Sequence, residues 1–144
     1  MLEVKFYEDV EDALVKFAVI ISKTDGKWVL CKHRERDTYE VPGGHREAGE
    51  AILDTAKREL QEETGAVDFT IEPVCAYSVK GKTRVSEGEE DVLFGMLYCA
   101  EIRTFEGIHS EMEKILVTDD LDVDWTYPLI QPKLVQEARR RGCV

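Results

Sequence analysis

Residues 58–65 read RELQEETG, a helical stretch that carries three acids and one cation. Glu59 and Glu63 stand one turn apart as a like-charge pair, which weakens an isolated helix. Glu59, Glu62 and Glu63 all precede Gly65, a natural helix stop, where the macrodipole favours cations over anions. Two local effects oppose this arrangement, so something outside the helix must favour it.

Upstream, Glu50 to Thr64 contains no Gly or Pro and is rich in Ala, Leu, Glu and Lys, which predicts a helix over the whole span. On a wheel of ~100° per residue with Glu59 at zero, Ile52, Leu53, Ala56 and Leu60 fall between roughly 20° and 120°, one apolar stripe. Glu63 lands near ~40°, inside that stripe, and Glu62 near ~300°, beside Glu59. The acids form a ridge along the margin of the buried face. A solvated acidic face is the ordinary reading of a Glu-rich helix. Here mutual repulsion, the dipole and the intrusion on the stripe all act in the same unfavourable direction, and a divalent cation reverses that sign. Hard cations prefer carboxylate oxygens and bridge readily to phosphates. In YEVPGGHREAGE, which leads into the helix, Pro42 fixes the chain direction. Gly43 and Gly44 let the backbone approach a ligand closely. Alone, a Gly-Gly turn before a helix is usually only a turn.

Further out, ALVKFAVIIS, the turn KTDGK and WVLCKH predict a β-hairpin from Ala13 to His33. FTIEPVCAYSV, DVLFGMLYCAEI and KILV read as strands after Gly65. PKLVQEARRRG reads as a terminal helix, with Pro near its start and Gly at its close. Several strands with one internal and one terminal helix predict an α/β or α+β sandwich, a mixed sheet between two helices. With no repeat, linker or low-complexity tract, residues 1–144 are expected to form a single domain.

Composition sets the outer bounds. Charged residues are 34% and hydrophobic ones 43% of 144, as in a globular chain, and the formal net charge is -11. So acidic a chain is unsuited to tracking a phosphate backbone, and nucleic acid is not an expected partner. No apolar run reaches the length of a membrane span, and MLEVKFYEDVED lacks the apolar core of a signal peptide. Cys31, Cys75, Cys99 and Cys143 form no CxxC pair, and three of them sit in apolar runs. Buried free thiols in a reducing cytoplasm are the expectation, rather than zinc ligands or disulfides.

Gly44, five residues, Glu50, seven residues, then Arg58-Glu59-Leu60-Gln61-Glu62-Glu63-Thr64-Gly65 resembles the signature of the Nudix (MutT-like) hydrolases. The motif covers residues 44–66, and its one departure is Ala66, where the family usually has Ile, Leu or Val. The resemblance implies an α/β/α sandwich with the catalytic helix on one side of the sheet. It also implies hydrolysis of nucleoside diphosphates linked to another moiety, with Mg²⁺ or Mn²⁺. Carried over, Glu59, Glu62 and Glu63 hold metal, with the Gly43 carbonyl as a further ligand. Arg58 orients Glu50 or Glu59, and Glu59 or Glu62 serves as general base towards water attacking phosphorus. In IHSEMEKI, Glu111 is preferred over Glu113 as an extra ligand from a loop, since Glu113 falls on the following strand.

In CKHRERDTYE, the cations Lys32, Arg34 and Arg36 are candidates for phosphate binding, against the equally ordinary reading of a solvated charged loop; His33 is read as structural. Phe6, Tyr77 and Phe94 are expected in the core. Trp125 and Tyr127, in the acidic DVDWTYPLIQP, are placed to line a pocket mouth, and Trp125 is taken as a substrate contact. The text after the box lacks the extension of the NADH pyrophosphatases, and residues 81–84 read GKTR, without the Tyr or Pro of the ADP-ribose and diadenosine-polyphosphate enzymes. The resemblance therefore points to a (d)NTP or an oxidised nucleotide such as 8-oxo-dGTP, giving monophosphate and pyrophosphate, from a cytoplasmic monomer or homodimer. The alternatives are an RNA 5′-end, ADP-ribose or dinucleoside polyphosphate pyrophosphohydrolase, and a non-catalytic nucleotide-binding module.

Overall fold

The computed structural model describes residues 2–81, 92–106 and 112–144. Eight strands form one mixed sheet: β1 (Glu3–Tyr7), β2 (Val15–Thr24), β3 (Lys27–His33), β4 (Tyr39–Glu40), β5 (Gly43–His45), β6 (Ala66–Lys80), β7 (Val92–Phe105) and β8 (Met112–Thr118). The main order is β1-β6-β7-β2-β3-β4, with β5 paired to β2 and β8 to β3. The expected hairpin is present. β2 and β3 pair antiparallel through Thr24–Lys27, and the connecting Asp25 and Gly26 have φ of 50° and 78°. Two consecutive positive φ values are what a tight primed turn requires, and Asp-Gly supplies them cheaply. One pairing, β2 with β7, is parallel and makes the sheet mixed.

Side-chain alternation along β2 splits the core into two layers. Ala18 and Ile20 face a cluster with Val29, Tyr98 and Ile102, covered by Ala56 and Leu60 of α1 (Ile52–Thr64). Val19 and Ile21 face the other way, towards Leu30, Tyr77 and Leu97, covered by Leu134, Val135 and Ala138 of α2 (Gln131–Arg140). The sheet is thus held between the two helices, in the sandwich that the sequence led us to expect. Among the described residues, no helix is long and apolar enough to cross a membrane. Cys31, Cys75 and Cys99 are buried free thiols and Cys143 is half-buried.

Three details depart from the sequence reading. The amino terminus supplies a strand, β1, paired to β6, where none was expected. The helix starts at Ile52 and not at Glu50, because the Glu50 carboxylate turns back to accept from the Thr55 hydroxyl at 2.7 Å and the Glu47 amide at 3.1 Å. Leu53, assigned to the edge of the apolar stripe, is 38% exposed, while Thr55 and Thr64 take buried places. Thr64 manages this by donating its hydroxyl to the Leu60 carbonyl at 2.6 Å and accepting from the Ala66 amide at 3.1 Å.

Candidate active site

Arg58 is the hub of the site. Its Nε and Nη2 donate to the two oxygens of Glu50 at 2.8 and 3.0 Å, a bidentate pair. Its Nη1 donates to Glu59 at 2.8 Å and reaches Glu62 at 3.4 Å, and Nη2 also donates to the His45 carbonyl at 3.0 Å. The sequence left Glu50 and Glu59 as alternative partners; the guanidinium engages both. Glu50's hydrogen bonds, first those from Arg58 and then that from Thr55, hold its carboxyl down at about 2.

Glu59 and Glu63 carry the opposite perturbation. Burial raises the Glu59 carboxyl, although Arg58 offsets part of the effect. Burial raises Glu63 well above the ordinary range, with the Gly43 amide, 2.7 Å from Oε1, opposing and the neighbouring acids Glu59, Glu40 and Glu62 adding to it. The two glycines on β5 shape this contact. A Cβ on Gly44 would lie 2.5 and 2.6 Å from the two Glu59 oxygens, so only Gly lets that carboxylate rest on the strand. At the foot of the helix, Gly65 has φ 77° and its amide caps the Gln61 carbonyl at 3.0 Å.

The donor set is all carboxylate, and burial makes two of its members costly to ionise without a counter-charge, which fits a hard divalent ion. As placed, no three His, Cys, Asp or Glu side chains among the described residues converge closely enough to hold a metal ion. The reason is visible: Glu59 is turned onto Arg58, Glu63 onto the Gly43 amide, and Glu62 is half-exposed.

The remaining candidates divide. Lys32 lies on β3 with its amine 3.9 Å from Asp37, Arg36 donates to Glu40 at 3.3 Å, and Arg34 is exposed in the turn after β3. Glu111 lies outside the described residues. Trp125 packs on the α2 side of the core and lines a shallow depression with Leu121, Lys133 and Arg139, away from the glycine strand. Its neighbour Tyr127 reaches the relevant cleft, while Trp125 is held elsewhere between two backbone bonds to β4, the Tyr39 amide donating to the Asp124 carbonyl at 2.8 Å and the Thr126 amide to the Tyr39 carbonyl at 2.9 Å. That cleft runs between β5 and α2. Glu40, Val41, Gly43, Gly44, Tyr77 and Gln131 are on its wall, with Phe17, Val79 and Leu134 among its apolar lining. Sequence reading did not find Glu40 or Gln131 and left Tyr77 to the core. The three come from separate elements, and only the extended TYEV before Pro42 hinted at Glu40.

With this geometry in place, the sequence profile of the NUDIX domain matches residues 13–124. The chain belongs to the NUDIX family. YtkD of Bacillus subtilis (strain 168), provisionally named an 8-oxo-dGTP diphosphatase, is 36% identical over 91 residues, which cover 63% of this chain. The match spans only 52% of YtkD's own length. The crystal structure of a point mutant of the Bacillus subtilis pyrophosphohydrolase BsRppH superposes with a TM-score of 0.77, covering 96% of this NUDIX chain and 91% of the other at 24% identity. The NUDIX domain of Shewanella oneidensis NrtR, crystallised with ADP ribose, gives a TM-score of 0.69 at 20% identity, covering 89% and 88% of the two chains. At these identities the structural likenesses speak for the fold.

Proposed function

We propose that this NUDIX protein is a metal-dependent pyrophosphohydrolase that cleaves a nucleoside triphosphate, normal or oxidised, to the monophosphate and pyrophosphate. One observation carries the reading: the acids of α1 and a base-sized cleft lie on either side of the same glycine strand, β5. Gly43 and Gly44 touch the Glu63 and Glu59 carboxylates and also line the cleft. A nucleotide seated in the cleft would run its phosphates over Gly43–Gly44 towards the acids.

In this reading Glu59, Glu62 and Glu63 hold Mg²⁺ or Mn²⁺, the Gly43 carbonyl adds a ligand, and Glu111 is a further candidate. An ion held by these residues would supply neutralisation of the diphosphate charge and a more acidic water at the site. Arg58 fixes the Glu59 carboxylate through a 2.8 Å bond and is itself anchored by Glu50. Glu59 or Glu62 accepts the proton as water attacks phosphorus. Lys32, Arg34 and Arg36 supply positive charge at the end of β3. The name of YtkD supports an oxidised dGTP as substrate, and an overall charge of -11 weighs against an RNA 5′-end.

The test is product analysis on a panel of dGTP, 8-oxo-dGTP, ADP-ribose and a dinucleoside tetraphosphate, with and without Mg²⁺. Monophosphate and pyrophosphate from a triphosphate, in the presence of metal alone, is the expected result. Turnover confined to ADP-ribose or the dinucleoside would reassign the substrate. No turnover of any of them would leave a binding module.

A further inference from the structure

Three of the four cysteines gather on the α2 face of the sheet, away from the acids. Cys99 follows Leu97 by two residues on β7 and shares its side, and Cys75 of β6 stands opposite Leu97. Cys143 arrives from the helix. Gly142, at φ 76°, reverses the chain after α2. Its amide donates to the Arg139 carbonyl and the Cys143 amide to the Ala138 carbonyl, each at 3.0 Å. The two bonds make a Schellman turn, which sets Cys143 against β7. Cys99 and Cys143 line one depression of about 210 Å³, rimmed by Lys23, Thr70, Glu72 and Glu101. Their thiols are within hydrogen-bonding reach of each other. Cys99 is 6% exposed and Cys143 half-buried, so Cys143 is the outer thiol of the pair.

We propose that Cys99 and Cys143 form a reversible disulfide clasp, made by a peroxide and undone by a dithiol, that fastens the end of α2 to β7. Burial, and then Cys143 beside it, pushes the Cys99 thiol up to about 12, so it stays protonated while the outer thiol reacts first. The Cys143 sulfur attacks one peroxide oxygen and the O–O bond breaks. The other oxygen leaves as water, and Cys143 becomes a sulfenic acid. The Cys99 sulfur then attacks the Cys143 sulfur and the S–O bond breaks. The hydroxyl departs with the Cys99 proton as a second water. The two sulfurs lose the two electrons that the peroxide gains. A dithiol reverses the bond by exchange, entering at the outer sulfur and leaving as its own disulfide. The clasp closes a loop of about 45 residues, which restricts the unfolded chain. It also secures the far end of the helix whose first turns carry Gln131 and Leu134 to the cleft wall. None of this depends on what the cleft binds.

The test takes the whole chain, fully reduced, and treats it with a small excess of hydrogen peroxide. Remaining thiols are alkylated, and the cross-linked peptides are mapped by mass spectrometry. A Cys99–Cys143 peptide is expected, with Cys31 and Cys75 alkylated and no dimer on a non-reducing gel. The melting temperature should rise on oxidation and return with dithiothreitol. Cys143→Ser and Cys99→Ser should each abolish both the cross-link and the shift, whereas Cys75→Ser should keep both. A cross-link that maps to Cys75 or joins two chains overturns the proposal. So does Cys143 carried on to sulfinic acid beside a reduced Cys99, or a Cys99–Cys143 bond that leaves the melting temperature unchanged. Should Cys99→Ser not fold, the mapped wild-type peptide and Cys143→Ser decide.

Discussion

Glu63 shows the logic of the site at the scale of single residues. A carboxylate enclosed by protein, with one amide at 2.7 Å for company and three acids nearby, is costly to ionise. Its folded-state pKa, like that of Glu59, lies above the unfolded value near 4.5. The folded protein therefore binds more protons than the unfolded chain as pH rises from about 4.5, and metal-free stability falls through that window. Mg²⁺ should remove this penalty. The melting temperature should then rise with added Mg²⁺, by more at pH 8 than at pH 5, with protons released on binding. A shift of the same size at both pH values would contradict this. Glu50 and Glu137 act with the opposite sign. Arg58 and Arg140 are the leading causes that hold them at about 2, so their contribution is present above about 4.5 and lost as pH falls towards 2. Gly44→Ala is expected to keep the fold, since only the flexible end of Glu59 stands in the way of a Cβ. The displaced carboxylate should cost about 10²-fold in turnover.

At the scale of elements, α1 is anchored at both ends by features outside its own propensity. Its start is tied by Glu50, Thr55 and Arg58, and its end by Gly65, whose carbonyl accepts the Glu106 amide at 2.7 Å. Gly65 has φ 77°, and a Cβ there would overlap the Glu106 carbonyl oxygen, which belongs to backbone and cannot swing aside. Gly26 has a similar φ of 78° with nothing within 4 Å. Gly65→Ala should therefore cost clearly more than Gly26→Ala, whose penalty is the conformational ~1–2 kcal/mol alone. Denaturant midpoints of the two variants check the order. The sequence made the helix, the hairpin and the acid ridge legible because each is a local pattern: a 3.6-residue stripe, an Asp-Gly turn, and like charges at a helix end. It missed β1, whose EVKFY is short and half-exposed and becomes a strand only by pairing with β6. Thr55 and Thr64 were also missed, since their burial depends on hydrogen bonds that a hydropathy pattern does not record.

Over the whole molecule, the sheet separates two tasks. α1 presents the acids on one face, α2 closes the cleft on the other, and β5 is the thin partition between them. The fold class was readable from element order, but the cleft was not. It unites Glu40, Tyr77, Tyr127 and Gln131 from distant parts of the chain, and the side chain chosen from the acidic loop, Trp125, faces away. Leu134 is wholly buried where α2 meets both the core and the cleft. Leu134→Ala should cost about 2–5 kcal/mol and weaken nucleotide binding as well, whereas Leu60→Ala beneath α1 should cost as much stability without touching the cleft.

The most direct measurement is single-turnover hydrolysis of a deoxynucleoside triphosphate in ¹⁸O-water, with Mg²⁺, by the wild type and Glu62→Gln. Glu62 is half-exposed, so the substitution should leave the melting temperature equal or slightly higher through relief of repulsion on α1. The account predicts deoxynucleoside monophosphate and pyrophosphate, label in one product only, unlabelled protein, and a loss of about 10²–10⁴-fold in rate for Glu62→Gln. Orthophosphate and a diphosphate as first products, a trapped nucleotidyl-enzyme, or a fully active Glu62→Gln would contradict it.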